Sequence, residues 1–366
     1  MSEIEARFVD VSDRQPREPS FWPALVIPRV SIDREIERLA SIDRPARGRR
    51  ASKVVHPCAG PSEGLAPGID VTIEVLKPGE ETAPLRQNAS EVSFCIRGEG
   101  VATIGSTATG FTQFDLWNTP GMRVQRCRND GKDLQVRLTY SNAPLLQQLE
   151  IHYVEEDPVV LPPAVSEAGG SPRRRARDFA DNFPIGEDGA RLMGYEYLID
   201  PDTVESKPLH FPWSVVSGHL DRVSNLGPNY TGRRLYLLYN PATERRNGTT
   251  HNFFATIAKY PPETVDQPHR HSSAAINYYF GGNGRSTVQG KKFVWEAGDL
   301  MLSAPGWAVH NHASRDQGFY ALTVQDHPLQ IAMDSLIWQE TLKSPIVSLG
   351  TEAGAQTNLR ELAAAR

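Results

Sequence analysis

Cysteine is scarce in this chain, and no apolar run approaches the length of a membrane span. Cys58, Cys95 and Cys127 are the three thiols among 366 residues, too few and too scattered for a disulfide framework. Residues 1–15 are charged and lack the apolar core of a secretory signal. No stretch reaches the roughly 20 apolar residues that a spanning helix needs. An excess of basic charge is missing as well. The net charge of -5 and a pI near 6.1 argue against nucleic acid as the main partner. One dense basic run, Arg173-Arg174-Arg175, sits in a Pro- and Gly-containing stretch and reads as a solvated linker. These absences predict a soluble, cytoplasmic protein with no membrane and no nucleic-acid partner, long enough for two domains with separate cores.

What is present is a succession of short β-type segments. Residues 71–76, 92–96 and 134–140 read as strands between Gly- and Pro-bearing turns. A second strand-rich block covers 234–324, with strands expected at 276–280, 285–289 and 300–304 separated by glycines. Residues 31–39 are predicted as a short amphipathic helix, with Ser31 as its cap and Ile32, Ile36 and Leu39 on one face. Residues 213–223 form another candidate helix, 157–177 read as a linker, and 328–366 as partly helical through Leu359, Leu362 and neighbouring alanines.

The chain repeats itself. Residues 78–100 read PGEETAPLRQNASEVSFCIRGEG and 262–284 read PETVDQPHRHSSAAINYYFGGNG. They align without a gap, placing Pro84 on Pro268, Arg86 on Arg270 and Gly100 on Gly284. Farther on Asp115 matches Asp299 and, with one residue inserted, Pro120-Gly121 matches Pro305-Gly306. The fold expected is therefore all-β, two β-barrels of the double-stranded β-helix or jelly-roll type with short flanking helices. The division expected is an N-terminal arm with a helix (1–50), a first barrel (51–156), a linker and inter-barrel segment (157–232), a second barrel (233–328) and a C-terminal tail (329–366).

The two copies differ where chemistry is possible. His269 and His271 share one face of a strand, because alternate residues point the same way. His310, after Pro305-Gly306-Trp307, can supply a third imidazole. The first copy has Leu85, Gln87 and Gln125 at the matching places, and glutamine is a weak ligand for a transition metal. The second barrel is thus the candidate metal site, and the first is expected to be structural or an interface. Imidazole suits Fe, Zn, Cu and Ni. No carboxylate follows His271 on its strand, and Glu296 is expected to face solvent. Three neutral ligands leave a dication's charge uncompensated and positions open, which favours an anionic, chelating substrate with room for dioxygen.

Other residues carry two readings each. His312 is a hydrogen-bond partner or acid–base group beside the metal, or a rim histidine. Asn277, on the same strand parity as His271, holds a substrate oxygen or satisfies a neighbouring backbone group. Trp307 walls the pocket or is core, with the pocket wall preferred. Tyr279 is read as core, Arg270 as an outward surface or interface group, and His251 as near the site.

The HxH pair and the PxWxxH segment resemble a cupin metal motif, and the repeat then makes the chain a bicupin. More closely, the chain resembles the gentisate 1,2-dioxygenase family, which includes the salicylate and 1-hydroxy-2-naphthoate ring-cleaving enzymes. The resemblance rests on FWPALVIP at 21–28 with the following helix, PLHFPWSVVSGHLDRV at 208–223, Asn240-Pro241-Ala242-Thr243, and the block from His269 to His312. It implies Fe(II) rather than Mn, Ni or Zn, O2-dependent cleavage of a small aromatic acid between hydroxyl- and carboxylate-bearing carbons, and a homo-oligomer, tetramer or dimer. The iron ligands implied are His269, His271 and His310, with His312 in the pocket. Two departures stand out. The family's well-characterised members hold iron in the first barrel, and an arginine that helps hold the substrate carboxylate is replaced here by Asn277. Two other classes remain open: a non-oxidative metal enzyme (isomerase, lyase or decarboxylase) and a ligand-binding bicupin without catalysis.

Overall fold

The computed structural model describes residues 5–17, 19–159 and 175–352. Strands dominate, arranged as two similar units in sequence order. In the first, a six-stranded sheet runs in the spatial order His210–Phe211, Leu116–Thr119, Glu91–Arg97, Gln135–Ser141, Asp70–Leu76, Arg50–Lys53. It faces a five-stranded sheet ordered Val154–Glu156, Leu85–Gln87, Gln125–Arg128, Gly100–Ile104, Thr107–Phe111. The second unit is built on a seven-stranded sheet ordered Leu25–Ile27, Leu300–Pro305, Ala274–Val288, His310–Gln325, Phe254–Tyr260, Leu235–Leu237, with Lys291–Glu296 added on Ala274–Val288. Arg270–His271 joins Ile337–Gln339 and Val347–Ser348 in a small separate sheet. Among the described residues no helix is long and apolar enough to cross a membrane.

Strand alternation decides which side chains meet. Val92, Phe94 and Ile96 of the first unit pack in one core with Ile276, Tyr278 and Leu322 of the second. Phe94 lies 6.1 Å from Tyr278 and 5.4 Å from Phe280, centroid to centroid. The two large sheets therefore pack face to face, and each such side chain stabilises the pairing by about 1.5–3 kcal/mol. The intervening residues Ala275, Asn277 and Tyr279 turn to the interior of the second unit.

The units exchange flanking segments in a matched way. Leu25–Ile27 pairs with Leu300–Pro305, and His210–Phe211 pairs with Leu116–Thr119. The repeated aspartates hold the helices that follow. Asp299 Oδ1 accepts the Arg29 N–H at 2.7 Å, and Asp115 Oδ1 accepts the Trp213 N–H at 2.7 Å. This corrects the expected cap of the first helix. It spans Arg29–Ser41, starts after Pro28 with no side-chain cap of its own, and buries Ile32, Ile36 and Leu39. Its first N–H is satisfied from the far end of the sequence rather than by Ser31. The segment from Trp213 does form short helical turns, Trp213–Val216, Ser217–His219 and Asp221–Ser224.

One further expectation changes. The glycines at 281–284 do not separate two strands, because Ala274–Val288 is one 15-residue strand. Its register against His310–Gln325 shifts between Tyr279 and Gly281 and again between Gly282 and Gly284, which is the signature of bulges. Gly284 is required there, since a Cβ would sit 2.3 Å from Trp295 Cη2 and 2.4 Å from the Ala313 carbonyl oxygen. Past the helix His327–Ala332, the described residues form the strands Ile337–Gln339 and Val347–Ser348. Leu359 and Leu362, and most of the expected linker with Arg173 and Arg174, lie outside the described residues.

Candidate metal centre

His269, His271 and His310 converge within the second unit. His269 and His310 sit opposite each other, exchanging backbone hydrogen bonds of 3.1 and 2.9 Å. All three side chains are buried, and their ligand nitrogens lie within 4.8 Å of one another. Backbone geometry also sets their tautomers. His269 Nδ1 is 3.0 Å from the Gln267 carbonyl oxygen, His271 Nδ1 2.8 Å from that of Ser273, and His310 Nδ1 2.9 Å from that of Ala308. A carbonyl only accepts, so each Nδ1 carries the proton and donates. Each Nε2 then presents a lone pair. Burial and the neighbouring imidazoles and Arg233 hold His269 and His271 well below the usual histidine range, and burial takes His310 down to about 4. Three neutral, oriented imidazoles fit a borderline divalent transition metal.

The triad opens on a cavity of about 320 Å³ whose walls are mainly apolar, including Leu235, Leu237, Phe254, Phe319 and Ile331. This is near the lower end of ligand-pocket sizes, roughly 300–1,000 Å³. Trp338 stacks on His271 with centroids 5.2 Å apart. The Arg233 guanidinium lies 4.9 Å from the Trp338 ring centre and donates to both Glu340 carboxylate oxygens at 2.9 and 3.0 Å.

One hydrogen-bonded chain runs along the wall. Asn277 Nδ2 donates to the Tyr279 hydroxyl at 3.0 Å, Tyr279 is 3.2 Å from Ser286 Oγ, and Ser286 Oγ is 2.8 Å from His312 Nδ1. Trp295 Nε1 also donates to Ser286 Oγ, at 2.9 Å. Counting donors sets the direction. Tyr279 donates to Ser286, which accepts from Trp295 as well and passes its own proton toward His312 Nδ1. The reverse assignment leaves Tyr279 donating to Met301 sulfur at 4.0 Å, a much poorer acceptor. His312, which burial lowers to about 3, is therefore neutral with its proton on Nε2. Asn277 Oδ1 is buried with no hydrogen-bond partner.

The structure distributes the other expected residues unevenly. Asn277, Tyr279 and His312 line the cavity. Tyr279 is at the same time core, fully buried with its ring stacked on Trp295 at 3.6 Å. Trp307 does not line the cavity, which corrects its preferred assignment as a wall. It lies under Arg270, whose guanidinium is 4.4 Å from its ring centre, because Arg270 alternates outward from the two histidines. Glu296 is exposed, and His251 is not among the cavity residues. Trp338, Arg233, Arg246, Asp266 and His327 also line the cavity and went unidentified in the sequence. Their signal was weak, since Trp338 arrives on the strand Ile337–Gln339 that pairs with Arg270–His271 across a long sequence gap.

The matching place in the first unit is closed by hydrogen bonds. Leu85 stands opposite Gln125, as His269 stands opposite His310. Gln87 and Gln125 each donate an amide N–H to the buried Glu91 carboxylate. Glu91 thus ties together the two residues that match His271 and His310 in the repeat.

Comparison with known proteins gives the same grouping. Residues 251–365 match the model of the AraC-like ligand binding domain. The chain is 29% identical over 118 residues to gentisate 1,2 dioxygenase 1 of Aquipseudomonas alcaligenes, a match covering 32% of this chain and 29% of that protein. It is 27% identical over 247 residues to the 1-hydroxy-2-naphthoate 1,2-dioxygenase of Nocardioides sp. (strain KP7), covering 65% of this chain and 57% of the relative. The matches thus span less than two thirds of either relative. The crystal structure of a salicylate 1,2-dioxygenase from Pseudaminobacter salicylatoxidans superposes with a TM-score of 0.71 at 18% identity, over 90% of this chain and 91% of the other. The chain is a bicupin that resembles the gentisate, salicylate and 1-hydroxy-2-naphthoate dioxygenases in sequence and fold, and its three-histidine group lies in the second cupin.

Proposed function

We propose that the second cupin is the active site of an Fe(II)-dependent dioxygenase that cleaves the ring of a small hydroxylated aromatic acid. The observation that carries this reading is the set of three Nδ1–H bonds to backbone carbonyls, which leaves three Nε2 lone pairs converging on a largely apolar cavity. Iron bound by His269, His271 and His310 supplies the means of reducing O2 that no side chain has.

The chain's own residues do the rest. Three neutral ligands leave the metal charge for the substrate to compensate, so a chelating hydroxy-acid is preferred over a neutral arene. The apolar walls take the ring and exclude water, which strengthens every polar contact inside. His312 presents Nε2–H, held there by Ser286, and donates it to a substrate oxygen as negative charge develops. Asn277 Oδ1 accepts a hydroxyl proton. Trp338 fixes the His271 ring, while Glu340 neutralises Arg233 beside it.

Anaerobic purification, Fe(II) addition and an oxygen-electrode screen against salicylate, gentisate, hydroxynaphthoates and aminophenols test the proposal. Substrate-dependent O2 uptake with appearance of a ring-opened product is expected. Bound metal with no uptake across the panel contradicts the dioxygenase reading.

A further inference from the structure

We infer that Arg246, on the loop between the strands Leu235–Leu237 and Phe254–Tyr260, is a specificity-determining residue that binds the anionic group of the substrate. The inference rests on the aromatic-acid reading above and adds the residue that recognises the acid.

Two cations line the cavity among the described residues, Arg233 and Arg246. Arg233 is already paired with Glu340. Arg246 is half-buried and makes one hydrogen bond, from Nε to the neutral Thr243 carbonyl at 3.2 Å. Among the described residues it forms no ion pair. Its two terminal nitrogens are left without partners, in the planar fork that matches a carboxylate. A partly desolvated charge without a counter-ion is unfavourable, and an anionic ligand removes that penalty.

The loop holds this arginine in place. Thr243 Oγ1 donates to the Asn240 carbonyl at 2.8 Å and accepts the Gly248 N–H at 2.8 Å. Asn240 Oδ1 accepts the Ala242 N–H at 3.0 Å. Glu244 has φ 47° and ψ -127°, and Asn247 is left-handed at φ 52°, conformations that a non-glycine residue adopts only where its surroundings hold it. The twist sends adjacent arginines apart. Arg245 bonds outside the cavity, to the Gly350 carbonyl at 3.1 Å and Asp334 at 3.2 Å.

Asn277 cannot perform the same task. It is neutral, one N–H of its amide goes to Tyr279, and its unpartnered buried atom is the acceptor Oδ1. The polar complement of the cavity is thus a carboxylate for Arg246 and an O–H or N–H donor for Asn277 Oδ1.

The test is calorimetric binding of salicylate, gentisate, 1-hydroxy-2-naphthoate and benzoate, each beside its primary amide, to purified wild type and to Arg246→Ala, Arg246→Lys and Arg245→Ala. Loss of a charge-assisted hydrogen-bond pair predicts acid affinity weakened about 10–100-fold in Arg246→Ala. Recovery should be partial in Arg246→Lys, with no change in Arg245→Ala and none for the amides. Unchanged acid affinity in Arg246→Ala, or a wild type with no preference for acid over amide, overturns the inference. Acid binding that depends on Arg246 without O2 uptake refutes the dioxygenase reading alone and leaves this assignment standing.

Discussion

Ser286→Ala is the sharpest probe of how His312 is held. The Ser286 hydroxyl is fully buried and meets three groups: Trp295 Nε1 at 2.9 Å, Tyr279 at 3.2 Å and His312 Nδ1 at 2.8 Å. Removing it leaves all three without that partner. A buried group stripped of its partner costs about 1–3 kcal/mol. Tyr279 still accepts from the Asn277 amide, but its own O–H and the Trp295 Nε1–H both lose their acceptor, so the net loss should be about 2–4 kcal/mol. Denaturant unfolding measures it. The functional effect comes from the tautomer, because without a donor at Nδ1 the His312 proton is no longer confined to Nε2. Turnover should fall about 10–100-fold, within the range for loss of an oriented proton donor, with metal content unchanged. Trp295→Phe is the control. It loses one donor and some packing but leaves the Ser286–His312 bond, so stability should drop and turnover should not. A folded, metal-replete Ser286→Ala with wild-type turnover refutes the assignment of the His312 proton.

The first cupin predicts a pH effect on stability. Burial pushes Glu91 up to about 7 from an ordinary 4.5, although the Gln125 donor and the Arg137 charge pull the other way. Because the folded pKa is raised, the stabilisation is fully present below pH 4.5 and is lost as pH rises through about 7. At about 1.4 kcal/mol per unit the change amounts to roughly 3 kcal/mol. Glu91→Gln should flatten the stability profile between those limits, and an unchanged slope in chemical denaturation refutes the attribution. Trp338→Ala frees the His271 ring and the Arg233–Glu340 pair, so metal affinity should weaken about tenfold by competition with a chelating dye; full affinity means that the stacked ring does not orient the ligand. Gly284→Ala should destabilise the second cupin by more than about 2 kcal/mol through the Trp295 and Ala313 contacts, and a thermal melt within a degree of wild type contradicts the bulge as drawn.

Much of the architecture was legible because period and repetition are local properties. His269 and His271 are two apart on a strand, and the repeat located His310 by matching its surroundings. Strand parity turned Asn277 and Tyr279 inward, and helical period gave Ile32, Ile36 and Leu39 one buried face. Contacts made over long sequence distances were not legible. Asp299 caps the first helix in place of Ser31, a relation across 270 residues. Trp338 and not Trp307 reaches the cavity, since an isolated tryptophan says nothing of which strand its own segment will pair with. The glycines near 282 read as turns because a bulge and a turn both need a residue without a side chain, and only the partner strand distinguishes them. Arg246 was hidden by a loop whose backbone turns abruptly at Glu244.

Metal stoichiometry in matched variants tests the central claim most directly. Wild type, His271→Ala and Gln87→Ala are to be reconstituted anaerobically with Fe(II), desalted and assayed for metal by mass spectrometry, with circular dichroism confirming the fold. The account predicts about one metal per chain in wild type and Gln87→Ala, and none in His271→Ala. Metal retained by His271→Ala, or lost from Gln87→Ala, places the centre in the other cupin and contradicts the account.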